Sequence, residues 1–149
     1  MSIIDLENGN QPMYSSDGRI AIVFNGEIYN YLELKSDLIK KGYKFKTKSD
    51  TEIIINSYLE WGIECQNKFN GMWAFAIWDK GKKQLFLSRD RIGEKPLYWG
   101  IAGDALIFGS ELKALRQHPD FNYEICKNGL YEYLKLGYIP APLTIHKNN

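Results

Sequence analysis

Side chains suited to bond-making chemistry are scarce in this chain. Its only cysteines are Cys65 and Cys126, about 60 residues apart, and its only histidines are His118 and His146. No framework of closely spaced metal ligands can be drawn from four such scattered positions, so no metal site is expected. Neither cysteine lies in an activating motif, and both are expected as buried or idle thiols, because free cysteine usually behaves as a small hydrophobe. The charged run Arg89, Asp90, Arg91, Gly93 and Lys95 invites comparison with a phosphate cradle. It contains neither Gly-x-x-x-x-Gly-Lys-Ser/Thr nor a strand-linked Gly-x-Gly-x-x-Gly. A structural loop, pinned by salt bridges and turned by Gly93 and Pro96, accounts for the same residues. Taken alone, Asn25-Gly26 is an Asn-Gly turn after a strand. Glu27 alone is a solvated charge, and Asp50 alone is a cap or first-turn acid.

Hairpins and helices must position these residues. Gly9 to Tyr14 reads as a loop and short strand, followed by the tight turn Ser15-Ser16-Asp17-Gly18. Arg19-Ile20-Ala21-Ile22-Val23-Phe24 is a strand covered on both faces that ends at Asn25-Gly26. Asn30-x-x-Glu33 has capping-box spacing, and Tyr31, Leu34 and Leu38 recur at helical intervals until Gly42. A short Tyr43-Lys44-Phe45 strand precedes a second capping box, Ser49-x-x-Glu52, whose helix runs through Ile53, Ile54, Ser57, Tyr58 and Trp61 to Gly62. Trp73 to Trp78 and Gln84 to Arg89 form a long hairpin, with Trp73, Phe75 and Trp78 expected in the core. Leu97 to Gly100 and Ala105 to Phe108 form a second hairpin. Ser110 caps a short helix through Arg116, and a last helix spans about Asn128 to Leu136. This order argues for α+β layering in one domain, with Pro140-Ala141-Pro142 marking its exit.

Composition narrows the partners. The charge of +1, from 19 basic and 18 acidic side chains, gives no broad attraction to nucleic acid or an anionic membrane. Lys40, Lys41, Lys44, Lys46 and Lys48 cluster after a helix end, where cations suit the dipole, and make no extended stripe. There is no apolar run of membrane-spanning length and no export signal in Met-Ser-Ile-Ile-Asp-Leu-Glu, so a soluble cytoplasmic protein is expected.

Several blocks carry a family resemblance. Ser2-Ile3-Ile4-Asp5-Leu6, Gly9-Asn10-Gln11-Pro12-Met13 and Phe24-Asn25-Gly26-Glu27-Ile28-Tyr29-Asn30 come first. Ser49-Asp50-Thr51-Glu52, Phe69 to Asp79 and Arg89-Asp90-Arg91-x-Gly93-Glu94-Lys95-Pro96-Leu97-Tyr98 follow. In order and spacing they resemble the amidotransferase domain of glutamine-hydrolysing asparagine synthetases. The resemblance implies a class II glutamine amidotransferase of the N-terminal-nucleophile type, a four-layer αββα sandwich. It further implies that residues 1–137 are that domain and that 138–149 begin a linker toward a synthetase domain. There the released ammonia meets an ATP-activated aspartate. ATP and Mg would belong to that other domain, leaving no cofactor in this chain.

The same resemblance assigns roles. Asn25, through its side-chain amide, and Gly26, through its backbone N–H, would stabilise the oxyanion; Glu27 and Asp50 would hold glutamine, Asp50 through the α-ammonium, and Ile4 would offer a backbone carbonyl. The attacking thiol in the family belongs to a first-residue cysteine, placed a few dozen positions before the Ser-Ile-Ile-Asp-Leu block. That block begins here at Ser2. The expectation is therefore a domain truncated at its N-terminal strand and inactive alone. Ser2 is rejected as a substitute nucleophile because it corresponds to an interior strand position. Expected partners are glutamine and a separate synthetase chain or N-terminal fragment. The alternative is a non-catalytic amide-binding or regulatory module that pairs with a synthetase chain.

Overall fold

Alternation along one strand organises the first half of the molecule. In the computed structural model, which describes residues 10–147, β2 (Ile20–Ile28) buries Ile20, Ile22, Phe24 and Ile28 on one face and turns Val23 and Asn25 outward on the other. It pairs antiparallel with β1 (Met13–Tyr14) and β3 (Gly71–Asp79), and β3 pairs with β4 (Gln84–Arg89), giving the order β1-β2-β3-β4. Helices α1 (Tyr31–Lys40) and α2 (Asp50–Trp61) supply the other layer. Leu34 and Leu38 of α1 and Ile53, Ile54 and Tyr58 of α2 join the β2 residues, Phe75 and Ile77 in one core cluster. Each such side chain stabilises the fold by about 1.5–3 kcal/mol on burial.

Most local expectations are met, and the departures have physical causes. Ser49 caps α2, accepting from Thr51 N at 3.2 Å, and Gly62 ends that helix at φ +59°. A 3-10 helix, Gly62–Lys68, then carries the chain to β3. Asn30 does not cap α1. Its side chain instead donates to Lys68 O at 3.0 Å and accepts from Asn70 N at 2.9 Å, tying the start of α1 to the entry of β3. No strand forms at Tyr43-Lys44-Phe45. There Glu52 turns back on the loop, accepting from Lys46 N at 2.9 Å and Thr47 N at 2.7 Å. Trp73 and Phe75 are buried as expected, whereas Trp78 faces outward at 41% exposure.

The chain divides into two compact units, Met1–Lys95 and Pro96–Asn149. The second holds the hairpin of β5 (Tyr98–Ala102) and β6 (Ala105–Gly109), then α3 (Leu112–Leu115) and α4 (Lys127–Leu136). Helix α3 starts after Glu111 without a side-chain cap, and Gly137 closes α4 at φ +79°. Among the described residues no helix is long and apolar enough to cross a membrane.

Candidate active site

The backbone of β2 decides what the Asn25-Gly26 pair can do. Rather than turning there, the strand continues to Ile28, with Asn25 opposite Ala74 and Gly26 opposite Trp73. In an antiparallel strand the N–H and C=O of one residue point to the same side, and successive residues alternate sides. The even-numbered residues of β2 face the β1 edge. Ile20 N donates to Ser15 Oγ at 2.9 Å, Phe24 N to Gln11 Oε1 at 2.6 Å, and Ile28 N to Asp50 Oδ2 at 3.1 Å. The odd-numbered neighbours face β3: Lys80 N donates to Arg19 O at 3.0 Å and Tyr29 N to Asn70 O at 2.7 Å. Trp73, opposite Gly26, turns both its peptide groups to Asp90. The Gly26 N–H therefore faces the β1 edge, two residues from the Asp50 carboxylate, roughly 6.6 Å along the strand.

Gly26 is also sterically fixed. A Cβ there would lie 2.1 Å from Met72 O and 2.8 Å from Trp73 Cα, at φ +152°. Only glycine lets the two strands approach this closely. Asn25 and Glu27, at alternate positions, share the sheet face away from Phe24 and Ile28.

Asp50 opens α2 and is 5% exposed. Burial pushes its carboxyl above its ordinary value, and the negative charge of Glu27 acts in the same direction; hydrogen bonds from the Ile28 and Thr51 N–H groups oppose them without prevailing. The site thus holds a buried carboxylate for which a cation would be a favourable partner. The structure brings Gly26, Glu27 and Asp50 to one end of β2 and places Asn25 beside them. Ile4 lies outside the described residues.

The cysteines are remote from this chemistry in character. Cys65 is buried in the 3-10 helix, and burial pushes its thiol up to about 12, which suppresses the thiolate a nucleophile needs. Cys126 is half-buried before α4.

The Arg89–Lys95 loop is structural, but salt bridges do not hold it. No ion pair is formed within it among the described residues. Asp90, 6% exposed, instead accepts from the backbone N–H groups of Ile92 and Glu94 at 3.2 and 2.9 Å on Oδ1, and from Trp73 and Lys95 at 3.3 and 3.0 Å on Oδ2. Arg89 closes the loop from outside, donating to Lys95 O at 2.7 Å and Gly93 O at 2.6 Å. Sequence reading also passed over Gln11, whose carboxamide bonds both polar atoms of Phe24. Its position just before Pro12, beside a two-residue strand, was the available sign.

The chain is similar to known proteins over most of its length. Asparagine synthetase [glutamine-hydrolyzing] 3 of Bacillus subtilis is 40% identical over 147 residues, covering 97% of this chain and 24% of that protein. Asparagine synthetase [glutamine-hydrolyzing] 2 of the same organism is 50% identical over 119 residues, covering 80% of this chain and 16% of that protein. The chain thus spans about a quarter or less of the length of these two relatives. Among solved structures, the glutamine phosphoribosylpyrophosphate amidotransferase of B. subtilis, complexed with ADP and GMP, superposes with a TM-score of 0.61 at 27% identity. The match covers 71% of this chain and 25% of that one. This likeness gives the chain the N-terminal-nucleophile fold of those amidotransferases, in agreement with the α+β organisation of helices and antiparallel sheets. A family model described as a glutamine amidotransferase domain matches residues 1–149, and the chain belongs to that family.

Proposed function

We propose that these residues form the substrate-holding and oxyanion side of a glutaminase site, working within a glutamine-hydrolysing asparagine synthetase. The observation that carries this reading is the shared edge of β2, where the Gly26 N–H and the Asp50 carboxylate face the same side two residues apart. A glutamine laid along that edge sets its α-ammonium at Asp50 and its side-chain amide at Gly26. The carboxylate gains a charge-assisted partner, and the carbonyl oxygen meets donors where negative charge develops. Asn25 adds its side-chain amide, Glu27 accepts from the ligand's remaining donors, and Ile4 contributes a backbone carbonyl. The attack falls to a thiol other than Cys65 and Cys126, supplied by a further segment or a partner chain. Ammonia then passes to a synthetase part that uses ATP and Mg; no cofactor is assigned to these 149 residues. A cytoplasmic location, without nucleic-acid or membrane partners, belongs to the same proposal.

Calorimetric titration of the 149-residue chain with glutamine, together with an ammonia assay, tests it. Saturable binding without turnover is expected; absence of binding overturns the reading, and turnover overturns the assignment of the nucleophile. Asp50→Asn is expected to weaken glutamine roughly 10- to 100-fold, the worth of a charge-assisted hydrogen bond. The pH dependence has a definite sign. Asp50 must be ionised to hold an ammonium, and its carboxyl in the free protein is raised, so affinity falls as pH drops through that raised value. In Asp50→Asn this dependence disappears. Stability moves the other way: a folded value above the unfolded one means that protonating Asp50 favours the fold, so the loss of affinity is not a loss of structure.

A further inference from the structure

The edge of β2 that faces the proposed ligand is completed in an unusual way at Phe24. Strand β1 pairs only through Met13 and Tyr14, opposite Ile22 and Ala21. At Phe24, the next residue of β2 to face that edge, a side chain takes the place of a strand. The Gln11 carboxamide accepts from Phe24 N at 2.6 Å and donates to Phe24 O at 2.8 Å. Both halves of the amide are used, so the side chain imitates a paired peptide. The Phe24 carbonyl belongs to the peptide unit that leads into Asn25. Gly26 follows on the same edge, and after it Ile28 with its bond to Asp50.

We propose that Gln11 is a positioning residue for the glutamine site. By holding the N–H of the Val23–Phe24 peptide and the C=O of the Phe24–Asn25 peptide, it fixes the path of β2 into Asn25, one peptide unit before the one that carries the Gly26 N–H, and so steadies the aim of that donor. This inference rests on the reading that Gly26 and Asp50 flank bound glutamine. A hydroxyl or a methylene chain cannot replace the carboxamide, because one donor and one acceptor are needed at the spacing of a peptide. A carboxylate can do half of the work. Ionised, it accepts from Phe24 N but sets lone pairs against Phe24 O; protonated, it recovers the donor.

Glutamine affinity of the wild-type chain, Gln11→Glu, Gln11→Met and Asp50→Asn, measured by calorimetry between pH 5 and 8 alongside urea unfolding, tests the assignment. At neutral pH both Gln11 variants are expected to bind about tenfold more weakly than wild type, the effect of one lost hydrogen-bonded constraint. On acidification the ratio of Gln11→Glu to wild type closes, while that of Gln11→Met stays flat. Taking the ratio removes the titration of Asp50, which both chains share. Wild-type affinity in both variants overturns the proposal, as does a Gln11→Glu ratio that does not change with pH. If Gln11→Glu does not fold at neutral pH, Gln11→Met decides: affinity equal to wild type in a folded chain overturns the role. Failure of the underlying reading looks different. The wild-type chain then does not bind glutamine, or Asp50→Asn binds it equally well, and the positioning role falls with it.

Discussion

Gly26→Ala is expected to destabilise the first unit by about 4 kcal/mol, the sum of backbone strain and overpacking against a neighbouring strand. The new Cβ would sit 2.1 Å from Met72 O, and backbone on a central strand cannot yield as the end of a flexible side chain can. Relief requires β2 and β3 to separate, which breaks the ladder on either side of Gly26, at Asn25 and Glu27. Gly71→Ala should match it, because its Cβ would lie 2.1 Å from Glu27 O at φ +156°. Gly18→Ala provides the contrast. Gly18 has φ +68° but nothing within 4 Å, so only conformational strain of about 1 kcal/mol is added. Urea midpoints of the three variants check the order. A Gly26→Ala midpoint equal to that of Gly18→Ala would remove the close approach as the reason for glycine. Where Gly26→Ala retains a folded fraction, its glutamine affinity should also fall, because the displaced peptide carries the donor.

That glycine shows where sequence reading stops. An Asn-Gly pair after a β-branched run has the composition of a hairpin turn, and local preference alone ends the strand there. Pairing with β3 overrides it, since nine residues of β2 find partners from Gly71 to Asp79. The same limit separates the two capping boxes. Ser49 caps its helix through a partner two residues on, Thr51 N. Asn30 has equivalent spacing, but a carbonyl at Lys68 and an N–H at Asn70 together satisfy its amide. Those groups lie about forty residues on, and no local window contains them. Helices, hairpins and the family's motif blocks were legible because they depend on short-range periodicity or on residue order. The aim of the Gly26 N–H and the clamp of Gln11 were not, because both follow from register between strands.

The Asp90 loop gives the second large effect. Asp90→Asn keeps the size of the side chain and loses the charge, and only one oxygen remains to accept. Whichever way the amide is turned, its NH2 meets two backbone donors: Ile92 N and Glu94 N on one side, or Trp73 N and Lys95 N on the other. Two backbone N–H groups then lose a charged acceptor, a loss of about 3 kcal/mol and roughly 10 °C in Tm. The charge also sets a pH window. Burial alone would raise the Asp90 carboxyl, but the N–H groups of Lys95, Glu94, Trp73 and Gly93 outweigh it and hold the carboxyl below its ordinary value. Asp79 behaves alike. It is buried, and hydrogen bonds from Lys82 and Gly81, with the Arg19 guanidinium 3.7 Å away, overcome the desolvation. For a depressed carboxyl the stabilisation is complete above the unfolded value of about 3.9 and is lost as pH falls through the folded one. Wild-type Tm should therefore decline on acidification below about pH 4, and Asp90→Asn should decline less steeply because one of the two buried carboxyls held below the ordinary value no longer titrates. Parallel slopes in a thermal-unfolding series would show that the four backbone donors do not hold Asp90 as an anion.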